Sequence, residues 1–415
     1  MSEAETITIP FKGIDLNRIV EEYGTPCYVY DTRFVRDRIR ILKNNLGSDF
    51  ALYYAVKANP NTELLSMLSQ ETDGVDISSG GELQLSLKGG FKAGNMSFAG
   101  PGKSSKELKE AIKHNIGSIS IESVNELNKV QKIAEELDSN ADVSLRINPV
   151  QVFKEFAIKM GGRSSQFGID EERCGKFFTL LEESSNCNFV GYHVYSGTQC
   201  LIPEALINNF KNTMKIVKKF VNEFAFVPQQ INFGGGFGVP YYKKQSPLPA
   251  EEVSTTLSNV FSDFKKELNL PTLTGIIELG RFIMAEAGYY ITQVVDKKNS
   301  RDTVYCVLNG GMNHHLAASG NFGQVIRKNF KIINISNPDN NKTEIVTFVG
   351  PLCTTIDIMG SKVEIPQVTI GDYIGFMNSG AYTLTASPLR FLSHPEPVEI
   401  MVSGYDNVKK ISSMG

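Results

Sequence analysis

No stretch of this 415-residue chain is apolar for long enough to span a bilayer, and its start, Met1-Ser2-Glu3-Ala4-Glu5, is acidic with no apolar segment behind it. That pattern excludes a membrane helix and a secretory signal, so a cytoplasmic protein is expected. Neither sign of charge dominates: 42 Lys and Arg against 45 Asp and Glu leave a formal −3. Such a balance argues against binding to nucleic acid or to an anionic membrane surface. The six cysteines (Cys27, Cys174, Cys187, Cys200, Cys306, Cys353) never fall in CxxC spacing, which fits reduced thiols rather than a disulfide framework or a zinc site. The five histidines lack ligand spacing too. His314 and His315 are adjacent and would not share a helical face, so no metal is expected. Internal repeats and low-complexity segments are also missing.

What is present is ordinary globular composition, 41% hydrophobic and 21% charged. The length exceeds a usual single core, so two domains are expected unless a barrel takes most of the chain. Short apolar or β-branched runs at 50–58, 74–79, 96–100, 118–122, 143–148, 189–196, 230–234 and 275–278 alternate with amphipathic stretches at 105–114, 124–137, 204–223 and 251–268. Eight such β units predict an α/β architecture, a (β/α)8 TIM-like barrel over 31–285. Beyond 285 the texture becomes strand and turn, with runs at 289–295, 303–308, 343–349, 367–370 and 373–377. These predict a C-terminal antiparallel β domain of 286–415, joined by residues 1–30.

The first run, Ala51-Leu52-Tyr53-Tyr54-Ala55-Val56-Lys57-Ala58-Asn59-Pro60, delivers one lysine from an aromatic strand to a turn. A lysine in an apolar setting can lose its proton and attack an aldehyde. A barrel gathers its active site at the C-terminal ends of its strands, and the other runs end in polar groups or glycines. They supply Asp76 with Ser79-Gly80-Gly81-Glu82, Arg146 with Asn148, His193-Val194-Tyr195-Ser196, Gly234-Gly235-Gly236, and Glu278-Leu279-Gly280-Arg281. Each is ambiguous alone: His193 by itself reads better as a satisfied core histidine, the glycines equally as a flexible loop, and Arg281 less readily as half of a structural ion pair. Together they describe a phosphate cradle after strands seven and eight, an aromatic-stacking imidazole and a carboxylate facing an aldehyde-binding lysine. Pyridoxal 5′-phosphate has that chemistry.

The chain resembles the fold-type III, alanine-racemase-like family, in its ornithine/diaminopimelate decarboxylase branch, over essentially its whole length. The motifs are Tyr54-Ala55-Val56-Lys57-Ala58-Asn59, His193-Val194-Tyr195-Ser196, the triple glycine, Glu278-Leu279-Gly280-Arg281, Gly350-Pro351-Leu352-Cys353 and Gly380-Ala381-Tyr382. The resemblance implies that Lys57 is the cofactor lysine and that Gly235, Gly236, Ser196, Gly280, Arg281 and Tyr382 surround the phosphate. It further implies that Asp76 and Glu82 support the lysine and ring. Glu278 would sit against the pyridine nitrogen, where a carboxylate keeps the ring a strong electron sink. Related racemases use an arginine there, so Glu278 favours decarboxylation. Leu279 stands where relatives usually have proline. Cys353, an inert buried thiol on composition alone, would by resemblance protonate the product carbon in a partner subunit's site, making the protein a homodimer with shared sites.

The residue after this cysteine is acidic in ornithine and diaminopimelate decarboxylases, and here it is Thr354. One charge-assisted contact to a distal ammonium, roughly 1.5–3 kcal/mol, is then missing. Segments 157–162, 166–169, 193–199 and 233–241 are most similar to glutamyl-[acyl-carrier-protein] decarboxylases of the butirosin type, and siderophore-pathway decarboxylases are also similar. The expected substrate is thus an amino acid or amino-acid conjugate, with an acyl carrier protein as a candidate partner and Arg281, Thr354, Asp357 and Tyr382 as candidate substrate contacts. Diaminopimelate, ornithine or lysine decarboxylation, racemisation, and a cofactor-binding regulatory homologue are the competing readings.

Overall fold

The computed structural model describes residues 10–151, 153–242, 244–322, 324 and 327–411, so the acidic start lies outside the described residues. Two compact units form, one of Ile39–Val239 and Ser246–Gly280, the other of the described parts of Met1–Arg38, Pro240–Gln245 and Arg281–Gly415.

The first unit is the (β/α)8 barrel that the alternation of runs predicts. Its strands are Phe50–Ala55, Gly74–Ile77, Met96–Phe98, Ser118–Ile121, Ala141–Asn148, Cys187–His193, Gln230–Asn232 and Thr274–Leu279. Every neighbouring pair is parallel, and the last strand closes the ring on the first, Glu278 opposite Tyr53. The amphipathic stretches are the helices Ser105–Lys113, Val124–Glu136, Pro203–Phe224 and Ala250–Leu268. Aromatic packing closes the barrel wall, Phe50 lying 4.8 Å from Phe261 and Phe210 stacking on Phe233 at 4.9 Å.

Three helices after successive strands begin with the same device. The hydroxyls of Ser79, Ser104 and Ser123 accept from the N–H groups of Glu82, Glu107 and Glu126. A side-chain oxygen three residues before a glutamate satisfies donors that a helix start leaves open. These S-x-x-E caps fix where each helix starts, and so fix the strand-end loops before them.

The second unit is a nine-stranded sheet, antiparallel in most pairings. Two pairings are parallel, Cys27–Asp31 with Val398–Val402 and Thr303–Leu308 with Thr343–Val349. Its long strand Gly288–Ser300 pairs with Cys27–Asp31, Tyr373–Phe376 and Thr303–Leu308, with a register shift between Val294 and Asp296. Phe11, Val29, Tyr289, Ile291, Ile400 and Val402 build its core. The strand expected at 367–370 does not form. The Val368 N–H donates to Glu344 Oε1 at 2.7 Å, and its carbonyl accepts from Lys297 Nζ at 2.8 Å, so side chains take the groups that a ladder would need. Ile358–Pro366 pairs with Thr343–Val349 instead.

Candidate active site

The barrel brings most of the sequence-predicted residues together inside its ring. Lys57 leaves the first strand on a short turn of 3-10 helix, Val56–Ala58, and is exposed while its neighbours are buried. Its Nζ lies 3.1 Å from Oδ2 of Asp76, whose side chain is fully buried. Asp76 Oδ1 accepts from Ser97 Oγ at 3.0 Å. Glu278, on the last strand, accepts from Asn232 Nδ2, with Ser97 Oγ at 3.5 Å. Burial, and then the neighbouring Asp76, push the Glu278 carboxyl up to about 8 against the pull of Lys57. A carboxyl taken out of water beside a second carboxylate holds its proton in this way, until a cationic partner makes its charged form favourable. Glu82 accepts from the Ser78 N–H at 2.6 Å, and desolvation lifts its carboxyl to about 7.

The glycine turn stands beside Glu278. Asn232 Oδ1 accepts from the Gly234 N–H at 2.8 Å, and the Glu278 N–H donates to the Gly234 carbonyl at 2.8 Å. A Cβ on Gly235 would lie 1.9 Å from the Glu278 carbonyl oxygen, so no other residue fits. Gly236 has φ +95°, a region that favours glycine. Gly280 lets the end of the last strand approach the lysine turn, since a Cβ there would lie 2.7 Å from that of Ala58. His193 and Ser196 are each 1% exposed, and His193 Nε2 and Ser196 Oγ have no hydrogen-bond partner among the described residues. Buried polar atoms are rarely left so, and two of them beside a glycine cradle fit an anionic, ring-bearing ligand.

Arg146 and Asn148 serve the mouth differently. The Arg146 guanidinium donates to Glu122 Oε1 at 2.7 Å, and the two oxygens of Glu122 also accept from the N–H groups of Gly100 and Gly168. Asn148 accepts from Gly162 N–H and donates to Asp170 and to the Arg163 carbonyl. Both residues hold strand-end loops in place.

The other unit carries the remaining residues. Arg281 opens the short helix Arg281–Met284; its guanidinium lies 4.5 Å over the Tyr382 ring and donates to Tyr241 Oη at 3.0 Å. Tyr382 has φ +57°, held there by a turn whose Gly380 N–H donates to Ala285 and whose Ser379 N–H donates to Gly288. Cys353 is exposed, Thr354 partly so. Asp357 is 2% exposed, and its two oxygens accept from the Met312 and Leu352 N–H groups at 2.7 and 2.9 Å. It ties the cysteine loop to the Gly310-Gly311-Met312-Asn313-His314-His315 segment.

Sequence reasoning missed Asn232, Tyr241 and the serines inside the barrel, Ser97, Ser118, Ser120 and Ser144. The alternating Ser118-Ile119-Ser120-Ile121 was a usable signal, because a strand of a parallel barrel has no solvent face on which to put its polar side.

A family model described as "Pyridoxal-dependent decarboxylase, pyridoxal binding domain" matches residues 32–285. The L-glutamyl-[BtrI acyl-carrier protein] decarboxylase of Niallia circulans is 37% identical over 390 residues, covering 93% of this chain and 91% of the relative. The 2-[(L-alanin-3-ylcarbamoyl)methyl]-2-hydroxybutanedioate decarboxylase of Staphylococcus aureus is 31% identical over 380 residues, covering 89% and 92%. A crystal structure of diaminopimelate decarboxylase from M. jannaschii superposes with a TM-score of 0.87 at 26% identity, covering 96% and 91%. With the family matched across the barrel and the relatives across nearly the full length, the chain belongs to the pyridoxal-dependent decarboxylases, carboxy-lyases that work with pyridoxal 5′-phosphate.

Proposed function

We propose that this chain removes the α-carboxyl, as CO2, from an amino acid whose side-chain end is joined by a thioester or amide to a larger group. One observation carries the substrate reading. On the Cys353 loop the residue after the thiol is Thr354, and the only acid of 350–357, Asp357, has both oxygens engaged by backbone N–H groups. No carboxylate is left on that loop to meet a distal ammonium, whereas an amide or thioester needs only neutral partners and space. Both relatives named above act on amino-acid conjugates by their names.

The barrel's Ser196 Oγ, unpartnered among the described residues, and its glycine cradle fit the phosphate; Arg281 and Tyr382 are assigned to the cofactor by the family motifs in which they stand. Lys57 takes the aldehyde, and Asp76 orients its amine. Glu278 meets the ring nitrogen, and Glu82 supports the lysine turn. When bound, pyridoxal phosphate supplies an electron-poor ring that accepts the pair released as CO2 leaves. The Cys353 thiol then gives its proton to the carbon that has lost CO2. Its exposure, together with exposed Ile356 and Phe322 on loops joined by the Asn321 Nδ2 bond to the Ile356 carbonyl at 3.1 Å, supports a homodimer in which it acts in the partner's site. An acyl carrier protein is the proposed bearer of the substrate.

The test is CO2 release, as kcat/KM, from glutamyl-carrier and side-chain amide conjugates against free diaminopimelate, ornithine and lysine. The conjugates should be preferred by about tenfold or more, about 1.4 kcal/mol in transition-state binding. The opposite order, with free diaminopimelate ahead by that factor, refutes the reading. No CO2 from any of them, in protein that binds the cofactor, would favour the regulatory homologue.

A further inference from the structure

The barrel interior carries a line of hydroxyls to which the reading above gives no task. Ser118 and Ser120 lie on one strand, Ser144 on the next, and Ser120 and Ser144 are register partners. None is more than 3% exposed. Ser118 Oγ donates to Ser144 Oγ at 2.9 Å, Ser144 and Ser120 Oγ are 3.2 Å apart, and Ser120 Oγ lies 2.9 Å from His193 Nδ1.

Counting hydrogens fixes the direction of this line. A serine hydroxyl has one hydrogen to give and can accept two. Ser118 gives its hydrogen to Ser144. If Ser120 also donated to Ser144, the Ser144 hydrogen would be buried among these groups with no acceptor, which native interiors avoid. Ser144 therefore donates to Ser120, and Ser120 to His193. Nδ1 becomes the accepting nitrogen, and the one hydrogen of a neutral imidazole sits on Nε2. Nε2 lies 3.8 Å from Glu278 Oε2. The ring is neutral because burial, then Arg146, Lys57 and Lys103, hold its pKa far below the usual histidine value.

We propose that Ser118, Ser144 and Ser120 form a one-way hydrogen-bond relay that fixes His193 as its Nε2–H tautomer and directs that N–H toward Glu278. Ser120 is then a positioning residue for His193, whose Nε2–H faces Glu278 Oε2 from 3.8 Å, beyond hydrogen-bond distance, while Asn232 donates to Oε1. Where Glu278 is ionised, the opposite tautomer would set a lone pair against its carboxylate. The tautomer itself is independent of the proposed function; only its effect on turnover rests on Glu278 meeting the cofactor.

The experiment is nitrogen NMR of the full-length protein labelled with 15N-histidine, without and with pyridoxal phosphate, His193 being assigned through His193→Asn. The expected result is a protonated Nε2 and an unprotonated Nδ1 in both forms; a protonated Nδ1 in the wild type overturns the proposal with no variant required. Ser120→Ala should mix the tautomers and lower kcat by about tenfold with KM within about twofold, the size of one lost hydrogen bond, while Ser120→Thr, which keeps the hydroxyl, restores both. A pure Nε2–H signal in folded Ser120→Ala would mean that Glu278 alone sets the tautomer, and the relay would be discarded. Failure of CO2 release in the wild type would strike the proposed function and leave the tautomer result standing.

Discussion

Replacing Glu278 by glutamine should move activity and stability in opposite directions, and the geometry says how far. In the protein without cofactor this carboxyl is buried and raised from 4.5 to about 8. The folded state thus holds the proton more tightly than the unfolded chain does. The stability linked to this group is intact below about pH 4.5, falls as pH rises toward 8, and is fully lost above that value. At 1.36 kcal/mol for each tenfold change in proton affinity, the cost at pH 9 is up to roughly 5 kcal/mol. Glutamine has no proton to lose, yet its amide can still meet Asn232 and Ser97. The cofactor-free Glu278→Gln protein should therefore melt above wild type at pH 9 and with it at pH 5. Under the proposed placement, the Glu278 carboxylate of the loaded protein would have a cationic partner at the ring nitrogen, and glutamine would remove one charge-assisted hydrogen bond. That loss is about 1.5–3 kcal/mol, or about 10- to 150-fold in kcat. The assay pairs thermal melting of the cofactor-free protein at the two pH values with CO2 release by the loaded one. A variant that melts below wild type at pH 9 would show that Glu278 is paired within the fold and is not held ready for a ligand. A variant with unchanged kcat would remove it from the ring nitrogen.

Two further outcomes are expected. Borohydride reduction of the loaded protein should fix the cofactor on the peptide containing Lys57, read by mass mapping; an adduct elsewhere refutes the strand-end assignment. Cys353→Ala should bind cofactor normally but release product about 10²–10⁴-fold more slowly, and mixing it with Lys57→Ala chains should restore part of the activity through hybrid dimers, which demonstrably exchanged but inactive mixtures would contradict.

The barrel was legible because its signal is carried by periods. Apolar runs of strand length alternate with helical faces, and the S-x-x-E caps mark where helices begin. Lys57, Asp76, His193 and Glu278 were legible because a polar residue at the end of an apolar strand stands out. The β unit was harder to read. Val368 resembles strand sequence, yet Glu344 and Lys297 from distant parts of the chain claim its backbone, and no local pattern reports that. Strands Val398–Val402 and Val408–Ile411 pair with each other, and the first also pairs with Cys27–Asp31, some 370 residues away, a pairing that spacing along the sequence cannot reveal. Asp357 shows the same limit. Its place in the motif suggested a substrate contact, and only the fold shows Gly311 and Gly350 so close to its carboxylate that a Cβ on either would lie within 2.4 Å of it.

The distribution of thiols gives the molecule a built-in chemical handle. Five of the six cysteines are buried and only Cys353 is exposed. Burial pushes the Cys27 and Cys174 thiols up to about 12 and Cys306 to about 11, which leaves almost no thiolate for an alkylating reagent at neutral pH. A maleimide dye should therefore label one position on the native chain without any cysteine being engineered away. The rate of that labelling reports how open the loop held by Asp357 is and, under the proposed shared-site homodimer, would make subunit association measurable in solution from a single natural side chain.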